Sequence, residues 1–204
     1  IKLGSSIRRH SSNNFDMFVM ELAGKEIKTE VRAKIERAGW KICTVDRIAP
    51  RDEKGTFPRF RDQFSKFQLW NMTEFERIIY MDSDTLVVGD IDPLLTIDLG
   101  EKNIAVTRDI SAGKWLPTFN MGVFVIKPSF QEFKYLLERK SDPKISFNTA
   151  MAEQGLLNVL YANKWVDFGF VYNANLAAYV QKRKFWNSQY SNVRVIHYTM
   201  NKPC

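Results

Sequence analysis

Asp82 and Asp84 stand one residue apart, directly behind the apolar run Ile78-Ile79-Tyr80-Met81 and ahead of a second run from Leu86 to Val88. Two unpaired carboxylates in that setting repel one another and lose hydration, a penalty of several kcal/mol. A divalent cation removes the penalty. Carboxylate oxygens suit Mg²⁺ or Mn²⁺, ions that commonly bridge to the phosphates of a substrate. A second Asp-x-Asp, at Asp90 and Asp92, carries a plainer expectation: a turn in which Asp92 caps a helix whose first residue is Pro93.

The surrounding elements account for charges at the end of a buried run. "RIIYMD" predicts a strand, as do "DMFVMEL", "KICTVDRI", "NIAVTRD", "GVFVIKP" and "WVDFGF". Ile27, Val31, Ile35 and Ala38 recur at helical spacing, with Gly39 as the stop. "QFSKFQLWNMTEF", "SFQEFKYLLERK" and "AEQGLLNVLYAN" read as further helices. Strands alternating with helices predict an α/β fold with a mostly parallel sheet. Such sheets bind ligands at the carboxyl ends of their strands, and Asp82 and Asp84 occupy one such end.

At 204 residues and 45% hydrophobic, the chain reads as a single domain with a sizeable core. Its net charge of +7 is compatible with an anionic partner. The basic clusters "IRRH", "PRFRD" and "VQKRKFW" are short and do not interleave with aromatics, so no nucleic-acid partner is expected. No apolar run reaches the roughly 18 to 20 residues of a membrane span. Cys43 and Cys204 lie far apart, which indicates neither a thiol-metal site nor a disulfide framework. The sequon Asn71-Met72-Thr73 falls on a predicted helix.

The ordered motifs "SKFQLW", "RIIYMDSDTLVVGDIDPL", "FNMGVFVIKPS", "EQGLLN" and "HYTMNKP" resemble glycosyltransferase family 8 across nearly the whole chain. The likeness is to glycogenin and to the glycogenin-like plant glucuronosyltransferases that decorate xylan; "RAGWK" and "SKFQLW" lean toward the latter. The resemblance implies a GT-A fold, a mixed and mostly parallel sheet flanked by helices. It further implies Mn²⁺-dependent (alternatively Mg²⁺-dependent) retaining transfer of a hexose from a UDP-sugar to a carbohydrate or protein-glycan acceptor. Glucose, glucuronic acid and galactose all stay open as the hexose, and a homodimer is a candidate assembly. Golgi lumen and cytoplasm both stay open as the compartment.

Carried over residue by residue, the resemblance makes Asp82 a ligand of metal and donor ribose, and Asp84 and His197 metal ligands. Ser83 would meet the nucleotide through its backbone. Lys202 matches a lysine that contacts the diphosphate and stabilises departing UDP, and Lys66 one that faces the donor phosphates. Asn120 and Gly122 match the sugar-pocket Asn-x-Gly, the glycine admitting substrate close to the backbone. Glu153 and Gln154 match the acidic-Gln pair beside the anomeric carbon. The chain departs from the pattern at Glu153, where glycogenin has aspartate, at Ala150 in place of an upstream aspartate, and at Cys204 in place of tryptophan. The family's opening strand, which holds uracil and ribose, is not matched, so residues 1–204 read as one glycosyltransferase domain lacking that strand. Tyr179 lies within a residue of glycogenin's self-glycosylated tyrosine.

Two other classes share some of these features. A haloacid-dehalogenase-type phosphatase also ends a strand in Asp-x-Asp, but carries Thr or Val two residues on, where this chain has Leu86. A sugar-nucleotide or glycan-binding domain without turnover would keep the ligands and bind UDP without transfer.

Overall fold

The computed structural model describes residues 1–111, 114–199 and 202. In chain order its elements begin with α1 (Lys2–His10), β1 (Phe18–Leu22), α2 (Thr29–Arg37), β2 (Lys41–Val45), α3 (Gln68–Asn71) and β3 (Ile78–Met81). They continue through β4 (Thr85–Val87), α4 (Pro93–Thr96), β5 (Ile104–Ser111), β6 (Lys114–Ile126), α5 (Phe130–Ser141) and α6 (Ala152–Leu160). The last are β7 (Val166–Asp167), β8 (Ala174–Asn175), α7 (Leu176–Gln181), α8 (Arg183–Gln189) and β9 (Val195–His197). The chain forms two compact units. The first holds residues 1–16, 79–125 and those from Lys164 on; the second holds 17–78 and 126–163.

In the first unit the strand order is β3-β6-β5-β7 in one sheet and β4-β9-β8 in another. β5 pairs with β7 in parallel, β8 with β9 in parallel, and β4 with β9 antiparallel. The expected "GVFVIKP" strand is the end of a much longer one, β6, whose residues from Met121 to Ile126 are all buried, the pattern of a strand covered on both faces. Tyr80 of β3 stacks on Phe124 of β6 with ring centroids 4.8 Å apart. Ile110, Ala174, Ala178, Trp186 and Val193 form a second core in this unit. The Asp90–Asp92 turn forms, and Pro93 opens α4 as expected, but the Asp92 side chain caps nothing. Its carboxylate instead accepts hydrogen bonds from the Ser11 and Ser12 hydroxyls and, at 3.0 Å, from the Ser12 N–H, tying down the end of α1. A long-range partner has displaced the local one.

In the second unit β1 and β2 pair in parallel around the crossover helix α2, which stops before Gly39 at φ +79°. The helical spacing that begins at Ile27 is realised only from Thr29. Ahead of that helix Glu21, buried on β1, takes the Ile27 N–H at 2.7 Å and also accepts from Thr44 and the Arg32 guanidinium. "QFSKF" forms a 3-10 segment over 63–67, ahead of α3, with Phe64, Phe67 and Trp70 buried edge to face. α5 begins at a Ser129 cap, whose hydroxyl accepts the Glu132 N–H at 3.3 Å. No helix among the described residues is long and apolar enough to cross a membrane.

Candidate metal centre

The end of β3 is built to present carboxylates. The Asp82 N–H donates to the Gly122 carbonyl at 2.7 Å, and Thr85 closes a tight turn with its N–H (3.0 Å) and hydroxyl (2.8 Å) on the Asp82 carbonyl. Tyr80, two residues earlier and therefore on the same face of the strand, donates its hydroxyl to Asp82 Oδ1 at 2.8 Å. The antiparallel register of β4 with β9 sets His197 opposite Thr85, and the Tyr198 N–H donates to the Asp84 carbonyl at 2.9 Å. His197 Nε2 thus lies 3.4 Å from Asp84 Oδ1 and 3.8 Å from Asp82 Oδ2. One ligand atom from each of the three residues falls within 4.8 Å of the others.

Burial works against ionisation of Asp84, yet the His197 ring and the Lys202 ammonium outweigh it and hold the carboxyl down at about 2. Asp84 is therefore ionised at any working pH, as a metal ligand must be. Asp92 is likewise held at about 2 by the hydroxyls of Ser11 and Ser12 and the Ser12 N–H. Both groups sit below their ordinary value of 3.8, so between about pH 4 and 2 the unfolded chain binds protons that the folded chain refuses. Stability should accordingly fall as pH drops through that window. Urea titrations from pH 5 to 2 should show the fall, and Asp92→Asn should flatten it; an unchanged slope in that variant would remove Asp92 from the account.

Three of the donors close behind the cluster. Asn120 Oδ1 accepts from the Gly122 N–H at 2.9 Å and from Asn173 Nδ2 at 3.0 Å, while Asn173 Oδ1 lies 2.9 Å from His197 Nδ1. The close approach at Gly122, assigned from the sequence to substrate, is made here by the His197 ring: a Cβ on Gly122 would fall 1.9 Å from His197 Cε1. Two carboxylates and an imidazole whose far nitrogen is already bonded make a hard, oxygen-rich donor set that fits Mn²⁺ or Mg²⁺.

Lys66 and Glu153 meet in the second unit, with Gln154 following Glu153 in the first turn of α6. Lys66 Nζ pairs with Glu153 Oε1 at 3.0 Å, both side chains nearly inaccessible, and Glu153 Oε2 is buried without a hydrogen bond. Gly155 lets the Asn148 carbonyl press against the start of α6, where a Cβ would lie 2.3 Å from that oxygen. Just before Glu153, the buried Ala152 adopts φ +47° and ψ −130°, a conformation that costs a non-glycine residue about 1–3 kcal/mol and that recurs at functional sites. Lys66→Met would leave Glu153 charged and unpaired in the interior, at a cost of about 3–5 kcal/mol. Adding Glu153→Leu should recover much of it. Urea denaturation of the two variants decides, and a single-variant loss under about 1 kcal/mol would mean that water reaches the pair.

The remaining expected residues are less enclosed. Ser83 is exposed in the turn between the two aspartates, and Lys202 is exposed while pairing with Asp84 and donating to the Tyr198 carbonyl at 3.0 Å. Tyr179 sits on α7 with the Arg183 guanidinium 3.7 Å from its ring centre and Trp186 against its edge. Cys204 lies outside the described residues. Tyr80, Asn173 and Ala152 are the contributors that sequence reading passed over. Tyr80 was findable, because strand residues two apart share a face; the other two left no local signal.

The family model for Glycosyl transferase family 8 matches residues 2–203. UDP-glucuronate:xylan alpha-glucuronosyltransferase 1 of Arabidopsis thaliana is 33% identical over 163 residues, covering 79% of this chain and 22% of its own length. Glycogenin-1 of Oryctolagus cuniculus is 27% identical over 209 residues, covering 96% of this chain and 58% of its own. This chain therefore spans little more than half of the one relative and about a fifth of the other. The galactosyltransferase LgtC, solved in complex with donor and acceptor sugar analogues, superposes with a TM-score of 0.66 at 17% identity, covering 98% of this chain and 80% of its own. That likeness shows the fold, which is GT-A.

Proposed function

The chain belongs to glycosyltransferase family 8, and from that premise we propose that it moves a hexose from a UDP-sugar to a glycan or protein acceptor with retention of configuration. The observation that carries the reading is the convergence of Asp82, Asp84 and His197 at one strand end. These three would hold a divalent cation, with Mn²⁺ favoured by the mixed oxygen and imidazole donors. Bound there, it would supply Lewis-acid neutralisation of the donor diphosphate.

The chain's own groups have separate tasks. Asp82 also receives the donor ribose, and the backbone at Ser83 meets the nucleotide. Lys202 places a fixed positive charge at the diphosphate and stabilises UDP as it leaves, while Lys66, which the family resemblance turns toward the donor phosphates, has its charge balanced by Glu153. Asn120 lines the sugar pocket, and Gly122 makes room for the His197 ring. Glu153, bound through Oε1 to Lys66, and Gln154 lie beside the anomeric carbon. The acceptor hydroxyl attacks from the face that UDP vacates, its proton passing to the leaving phosphate oxygen. Glucose, glucuronic acid and galactose are the donors to screen.

Calorimetric titration of UDP with Mn²⁺, and again with a chelator, tests this. Binding that requires the metal is the expected result. Metal-independent binding would overturn the role given to the cluster, and UDP uptake without turnover of any UDP-sugar would favour a binding domain.

A further inference from the structure

We infer that Asn173 is a positioning residue that locks a proton on Nδ1 of His197, so that Nε2 is always the ring atom presented to Asp82 and Asp84. The inference rests on the cation reading of that cluster and concerns how the chain prepares it.

The Gly122 backbone N–H is a donor only, and it points at Asn120 Oδ1 at 2.9 Å, so that atom of Asn120 is the carbonyl oxygen. The Asn173 atom 3.0 Å from the same oxygen must then be its amide nitrogen, since two carbonyl oxygens would repel there. Asn173 is 1% exposed, so bulk solvent does not offset the cost of a reversed amide. Its oxygen is thereby turned to His197 Nδ1, 2.9 Å away, and that nitrogen has to donate. Whether or not Nε2 carries a proton, Nδ1 does.

The consequence falls on the other side of the ring. Nε2 lies 3.4 Å from Asp84 Oδ1 and 3.8 Å from Asp82 Oδ2. In the neutral ring those three atoms are all acceptors with nothing to share between them, which is the arrangement a cation satisfies. The opposite tautomer would spend Nε2 as a donor to a carboxylate and leave no lone pair for a metal. The chain Gly122–Asn120–Asn173–His197 also joins the sugar-pocket asparagine to the imidazole through bonds that are partly or wholly buried.

The test reads the ring directly. Besides His197 the chain has one histidine, His10 on α1, so ¹⁵N-histidine labelling in a His10→Gln background leaves a single imidazole. Long-range ¹H–¹⁵N correlation on the metal-free protein, at a pH where the ring is neutral, should show Nδ1 protonated. A ring protonated on Nε2, or a mixture of the two tautomers, would overturn the inference. Asn173→Leu should give that mixture and weaken Mn²⁺ binding, followed by electron paramagnetic resonance, by about 10- to 100-fold. Unchanged affinity in the leucine variant would also overturn it. Should the leucine variant fail to fold, the wild-type spectrum decides. The two readings fail separately. Nδ1 protonated in a wild type that takes up no Mn²⁺ sinks the cation reading, while Mn²⁺ uptake by a ring found protonated on Nε2 sinks the role of Asn173.

Discussion

Asp84→Asn should abolish metal-dependent UDP binding and lower sugar transfer by about 10³-fold or more, the several kcal/mol that a Lewis acid contributes. The substitution keeps the shape of the side chain and removes its charge. Asp84 offers one oxygen toward His197 Nε2 at 3.4 Å and pairs the other with Lys202. Its carboxyl, held at about 2, is never protonated in the working range, so a neutral amide there has no native counterpart. The fold should survive. The backbone of Asp84 still accepts from the Tyr198 N–H at 2.9 Å, and the partner lost, Lys202, is largely exposed. Calorimetry with UDP and Mn²⁺ therefore separates site from scaffold: binding vanishes while the thermal transition moves little. Retention of Mn²⁺-dependent binding in Asp84→Asn would exclude this carboxylate as a ligand.

Gly122→Ala should be nearly as damaging for a different reason. The added methyl would meet His197 at 1.9 Å from Cε1 and 2.4 Å from Nδ1, distances no contact tolerates. The ring cannot simply turn away, because its Nδ1 is bonded to Asn173 and its backbone is paired with Thr85 across β4 and β9. Either the imidazole is expelled from its hydrogen bond or β6 shifts. Overpacking of this kind costs about 1–3 kcal/mol, and displacing the ring should cost at least about 10-fold in Mn²⁺ affinity. Combining Gly122→Ala with His197→Ala removes the clash, so the double variant should melt above the single one while binding no metal. Equal melting temperatures for Gly122→Ala and wild type, with unchanged Mn²⁺ uptake, would contradict the geometry.

Much of this protein was legible along the chain because the informative signals are local. The "RIIYMD" strand, the "SFQEFKYLLERK" helix and the turn at Asp90–Asp92 all form where the spacing places them. So does the exposure of carboxylates at a strand end, which depends only on where an apolar run stops. Family resemblance alone singled out Lys66, Glu153 and Gln154, and the ion pair between Lys66 and Glu153 had no signal along the chain. Local reading erred where a distant group competed. Ser11 and Ser12, remote in sequence, hold the Asp92 carboxylate away from its cap.

Taken by itself, the sequence determined the strand-helix alternation, the strand that ends in Asp82 and Asp84, and membership of a family whose motifs run in order. Tertiary structure alone decided the rest of the centre. The β4–β9 register brings His197 beside Asp84, and Asn173 faces the ring only because β8 and β9 run in parallel. Gly122 lies under that ring, and Ala152 holds a left-handed backbone ahead of Glu153. None of these follows from neighbouring residues. Each is a close approach between segments remote in sequence, set by strand register and by the pairing of polar groups shut away from water.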